Sequence, residues 1–216
     1  MKKKNITRIL QALLIFAVFT FIGMLVFDFH SSKVAENSLA EVVDVLDQKI
    51  EENKKIVAET SNQNQQQPPT ENQEPTAVTQ PVDMGVKIGN STVFGKIKID
   101  KIGIEYPIIE YVNDNSLWKS ICKISHNSIN GTGNLCIAGH NMRNQTMFGK
   151  LRRVEIGDKV EITNVYGDKY VYTIYDMFYV DPSQVDVLRN TEDPILTMIT
   201  CNNTLDKRLI VRAKLD

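Results

Sequence analysis

Cys201 and Arg208 are two residues of this chain whose types and spacing can do chemistry together. Cys201 ends the run ILTMITC, in which Thr197, Ile199 and Cys201 share one face of an extended strand and Leu196, Met198 and Thr200 the other. A second strand-like run, RLIVRAKL, opens at Arg208, and residues 202–207 between them are polar enough for a hairpin loop. If the strands pair directly, Cys201 and Arg208 stand opposite each other with Cβ atoms about 5 Å apart. A guanidinium there favours anionic sulfur and can steady an oxyanion. Arg212 competes from the same face, but it lies roughly 13 Å farther along the strand and would oppose Thr197.

A nucleophilic thiol needs a proton partner near neutral pH, most often histidine. The chain has three histidines. His30 flanks an apolar N-terminal run, and His126 sits in the polar stretch KISHNSINGTG, where a surface side chain is the simpler reading. His140 follows NLCIAG, a strand whose closing Ala138 and Gly139 let another element approach, and is the best placed. Composition alone favours Cys201 as a small buried hydrophobe, so these three residues leave the question open. Cys136 reads as core, and Cys122 as either core or surface. No cluster of His, Cys or carboxylates suggests a catalytic metal, no acidic constellation suits calcium, and no cofactor is expected.

The elements that must position these residues follow from the patterning. At 216 residues, 42% hydrophobic and with a net charge of −1, the chain is globular in composition and a poor partner for nucleic acid. Residues 9–27 form an apolar run interrupted only by Gln11 and Thr20, which as a helix covers about 28 Å, the thickness of a bilayer core. Lys2, Lys3, Lys4 and Arg8 precede it, so the positive-inside rule places residues 1–8 in the cytoplasm and exports the remainder. A cleaved signal is the alternative, but its apolar core is shorter and ends at a small-x-small site that is missing here. An exported chain with three cysteines cannot pair all of them internally.

Within residues 28–60, Leu39, Val43, Leu46 and Ile50 recur at helical spacing; a solvated spacer is the expectation, with a dimerising coil or a docked helix as alternatives. Residues 61–90 are polar and proline-rich and read as a flexible tether. Residues 91–216 are dominated by short runs rich in Val, Ile, Tyr and Thr, punctuated by turns such as residues 164–168. That is an all-β pattern, a barrel or sandwich, with short helices expected at NSLWKSI and TMFGKL.

Three boxes then carry a family resemblance. AGHN with MFGKL downstream, LTMITC, and KRLIVRA resemble the histidine, cysteine and arginine boxes of the sortases, in that family's order. GKIKIDKIGIEYPIIE is similar to the family's opening strands, and VEIGDKVEI with YVYTIYDMFYVDPSQVDVL to the segment between the histidine and cysteine boxes. The resemblance implies a closed eight-stranded β-barrel on the outer face of a Gram-positive cell membrane. It implies a cysteine transpeptidase that cleaves an LPxTG-like sorting signal on exported surface proteins through a thioester and transfers them to an amine of a peptidoglycan precursor. On this resemblance His140 matches the catalytic histidine, Cys201 the nucleophile and Arg208 the arginine. Thr200 takes the threonine position before the cysteine, either substrate-binding or strand packing. The histidine box looks like class B, whereas the short stretch between Val180 and Thr197 is closer to the compact classes A, D or E. An exported cysteine protease and a non-catalytic anchored β-domain are the competing readings.

Overall fold

The computed structural model describes residues 2–63, 85–125, 127 and 129–216; the expectation for His126 and most of that for the tether fall outside them. The chain divides into two compact units, Met1–Ser38 and Leu39–Asp216. Helix α1, Lys2–Gln63, contributes to both. In the first unit Leu13, Phe16, Phe19 and Phe27 stand exposed on it. Over the described residues, no helix is long and apolar enough to cross a membrane.

The described residues of the second unit include nine strands. Alternation sets which face each buries: in β2 (Ser91–Ile99) Ile97 and Ile99 turn inward while Lys96 and Lys98 carry the outer side. Strands β3 (Ile104–Tyr111), β4 (Ile121–Lys123), β5 (Asn134–Ala138), β6 (Lys159–Asn164), β7 (Lys169–Val180), β8 (Ile195–Cys201) and β9 (Arg208–Leu215) follow in the chain. They are ordered β2-β3-β4-β5-β8-β9-β7-β6, and β6 returns to pair with β2, closing an eight-stranded barrel; β1 (Val86–Ile88) adds to the outside of β2. Closure depends on Gly95, where any Cβ would meet the Thr163 carbonyl oxygen at 2.2 Å across the β2–β6 seam. The barrel is filled by Ile97, Ile108, Leu135, Ile162, Leu196 and Val211, among others.

Two expectations about the N-terminal side of the barrel are corrected. Residues 39–56 are not a solvated spacer: Val43, Leu46 and Ile50 are buried, and the last two pack with Val93, Ile109, Cys122 and Val165. The Asn53 amide donates to the Val165 carbonyl at 2.9 Å, and Lys96 pairs with Asp47 at 2.7 Å as well as with Glu105 at 2.8 Å. The apolar stripe is covered by the outside of the barrel, which presents its own aliphatic patch. The edges of the tether also shift, since residues 61–63 are helical and Val86–Ile88 form a strand.

Of the two expected short helices, one forms. Helix α2 (Asp114–Leu117) starts at Asn113, whose side chain accepts from the Asn115 and Ser116 amides in a reciprocal box with Ser116. TMFGKL instead makes a turn that runs into a 3-10 helix at Leu151–Arg153. Gln145 and Met147 adopt left-handed φ values of 65° and 51°, and Met147 bridges to Asn141, which a continuous helix does not permit. Turn 164–168 forms as expected between β6 and β7, held by the Asn164 carboxamide accepting from the Tyr166 and Asp168 amides.

Candidate active site

Cys201 is the last residue of β8, and the register of the antiparallel β8–β9 pair sets it directly opposite Arg208. The same register sets Arg212 opposite Thr197, two turns of the pleat away from the thiol. On the other side of β8 lies β5, in parallel register with Ala138 beside Ile199. The Gly139 amide continues that ladder by donating to the Ile199 carbonyl at 3.1 Å. His140 follows Gly139 two residues past the end of β5, so it leaves the sheet at the same end as Cys201 and Arg208.

Thr200 reinforces this alignment. Its side chain points to the opposite face of β8, is buried, and donates its hydroxyl to the Gly139 carbonyl at 2.8 Å. It thereby ties the strand of the thiol to the residue before His140. Gly139 itself has no room for a side chain, because a Cβ would meet Ile121 at 2.4 Å and Phe148 at 3.0 Å. The small residues before His140 do admit a close neighbour, and that neighbour includes the MFGKL segment.

His140 is partly buried, and its Nε2 has no hydrogen-bond partner among the described residues. Burial pushes its pKa below the usual imidazole value. The Trp118 ring lies 4.4 Å from the His140 ring, tilted by 39°. Arg208 Nη1 is likewise buried and unpartnered among the described residues, which leaves a guanidinium N–H to be met by a ligand. Cys122 and Cys136 are both fully buried, no disulfide joins them, and burial raises the Cys136 thiol to about 12. Neither has the exposure that reactive thiols require.

Cys201 and Thr200 line a groove of about 440 Å³, with Asn141, Phe148, Arg152 and Tyr179 among its walls. Asn141 donates to the Cys201 carbonyl at 2.9 Å and to Asn203 Oδ1 at 3.2 Å, and Arg152 donates to the same Asn203 oxygen at 3.0 Å. Trp118, Arg152 and Tyr179 were not singled out from sequence. Trp118 carried the one available signal, as the only tryptophan in the chain. Among the described residues no group of His, Cys, Asp and Glu side chains is arranged to hold a metal.

A closed eight-stranded barrel with Cys201 opposite Arg208 at one end and only the 3-10 turn Val185–Leu188 between β7 and β8 is the sortase architecture. The Sortase domain model matches residues 97–216. The chain belongs to the sortase family. It is 29% identical over 127 residues to sortase A of Listeria monocytogenes, covering 57% of each chain, and 27% identical over 126 residues to sortase A of Bacillus anthracis, covering 57% of this chain and 60% of that one. It thus spans less than two-thirds of the length of these curated relatives. The solved sortase A of L. monocytogenes superposes with a TM-score of 0.55 at 28% identity over 57% of this chain and 87% of that one. A sortase D5 transpeptidase of Clostridium perfringens gives 0.54 at 31% identity, over 58% and 79%.

Proposed function

We propose that this chain is a cysteine transpeptidase that cleaves an LPxTG-like sorting signal and joins the released carboxyl end to an amine of a cell-wall precursor. The observation that supports this reading is the β8–β9 register, which pairs Cys201 with Arg208, beside a groove that Cys201 lines. The Cys201 thiolate attacks the carbonyl carbon between the signal's threonine and glycine, and the developing oxyanion meets the free N–H of Arg208. Collapse of this adduct breaks the C–N bond, and the departing glycine amine takes a proton from the His140 imidazolium, leaving a thioester on Cys201. The incoming amine gives its proton back to neutral His140 as it attacks. The second collapse expels the thiolate and restores the starting pair.

Burial of His140 disfavours the imidazolium needed in the first step. Trp118 covers one face of the ring and holds its orientation, a role that no hydrogen bond to His140 Nε2 supplies among the described residues. Residues 9–27 anchor the chain as a single membrane span, with residues 1–8 cytoplasmic and the barrel outside. The apolar length of this run and the cations before it support this placement.

The test uses the full chain in neutral detergent with an LPxTG-type peptide, with and without triglycine. Intact mass should show an acyl adduct on Cys201, and triglycine should convert it to a transfer product. Cys201→Ala and His140→Ala should each lower turnover by at least about 10³-fold. Full activity in Cys201→Ala would eliminate the mechanism, and hydrolysis with no transfer product would identify a protease instead.

A further inference from the structure

Many surface cations of the barrel are neutralised by ion pairs. Lys98 pairs with Asp100, Lys101 with Glu155, Lys159 with Asp216, Lys169 with Glu161, Lys207 with Asp181 and Lys214 with Asp193. The segment that leaves His140 does the opposite. Between Asn141 and Val154 the sequence carries Arg143, Lys150, Arg152 and Arg153 with no Asp or Glu. Among the described residues none of these four makes an ion pair. Arg153 is bonded to the neutral Gln145 carboxamide and Arg152 to that of Asn203.

Arg152 is also the cation best placed for the reaction. It lines the groove with Cys201, and no carboxylate lines that groove, whose other lining cation, Lys207, is already paired with Asp181. Two asparagines link it to the nucleophile, from Arg152 through Asn203 and Asn141 to the Cys201 carbonyl, with links of 3.0, 3.2 and 2.9 Å. The guanidinium is therefore held near the thioester, with donors left over and no counter-charge.

We infer that Arg152 selects the acceptor: it binds a carboxylate carried by the molecule whose amine attacks the thioester, and the unpaired basic segment 143–153 draws that anion in. This inference rests on the transpeptidase reading above. The side of the thiol follows from proton traffic, because the group that gives the leaving amine its proton must take one from the incoming amine. Both amines therefore pass on the side of His140, and the basic segment begins at the next residue. A carboxylate of the sorting signal is the other source of the same chemistry, and the experiment separates the two.

The full chain in neutral detergent is given a saturating neutral LPxTG-type peptide, and the acceptor KM is measured for triglycine and for triglycine amide. These offer the same amine with and without a carboxylate. In the parent chain triglycine should have the lower KM by about two- to fivefold, the range of one exposed ion pair, and the gap should shrink with added salt. Arg152→Gln should bring the two KM values together, whatever its effect on kcat, and Arg152→Glu should reverse their order. Equal KM values in the parent chain, or a gap that survives Arg152→Gln, would overturn the inference. A second arm compares signal peptides with Glu and Gln at the variable position; an Arg152-dependent preference there, with none among acceptors, overturns the assignment to the acceptor. Failure to form any thioester would instead remove the transpeptidase reading, and with it this one.

Discussion

Replacing Thr200 by Val tests whether the hydroxyl beside the nucleophile serves the fold or the substrate. Valine keeps the shape and burial of threonine, so the packing of β8 against the barrel core is preserved and only the bond to the Gly139 carbonyl is removed. Thr200 is 4% exposed, so water cannot replace the lost donor, and the cost should be about 1–2 kcal/mol. For a unit of this size that is about 2–8 °C in Tm. The bond ties β8 to the residue before His140, so kcat should fall with stability as the imidazole loses its alignment, while the KM for the signal peptide should hold. Thermal unfolding by near-ultraviolet circular dichroism and steady-state transfer assays read the two quantities. Thr200→Ser, which restores the donor, should recover more of kcat than of stability because it leaves a methyl-sized gap. A Thr200→Val chain as stable as its parent but with a raised peptide KM would refute this reasoning and give the hydroxyl to the substrate.

Two further outcomes follow from the same structure. Leu46→Ala should destabilise the second unit by about 2–5 kcal/mol in urea unfolding, since Leu46 is fully buried against the barrel; a change below about 0.5 kcal/mol would mean that the helix leaves the barrel in solution. His140 has a folded-state pKa below its unfolded value of 6.5, so the unfolded chain binds more protons as pH falls through 6.5, and stability declines until the folded value is passed. His140→Gln should therefore lose less stability than the parent between pH 7.5 and pH 5, and parallel losses in the two chains would contradict the burial of the imidazole.

The opposition of Cys201 and Arg208 was legible because a short polar loop leaves a hairpin little freedom of register. The neighbour on the other side was not legible in the same way. Gly139 and Thr200 are 61 positions apart and meet through a parallel pairing, whose register no local signal specifies; the small residues before His140 and the resemblance of the boxes pointed to that histidine but not to its strand neighbour. The spacer went wrong for a different reason. A stripe of Leu39, Val43, Leu46 and Ile50 looks the same whether water, a partner or the outside of a barrel faces it, and the complementary patch is assembled from four separated strands and turns. In TMFGKL, helix-compatible side chains are overridden by backbone turns at Gln145 and Met147. The chain of carboxamides from Cys201 to Arg152 has no periodicity at all, so polar loop residues gave no warning of it.

The docked stretch of α1 also fixes where a barrel fragment of this protein can begin. A polypeptide starting at Ser91, the boundary suggested by composition, would keep every strand of the closed barrel but lose Leu46 and Ile50 from its outer wall. Val93, Ile109 and Val165 would then face solvent together with the thiol of Cys122, which is fully enclosed in the intact chain. Such a fragment would carry a sticky patch and an oxidisable sulfur remote from Cys201. Thiol counts and self-association measured on it would report the missing helix rather than the chemistry of the groove.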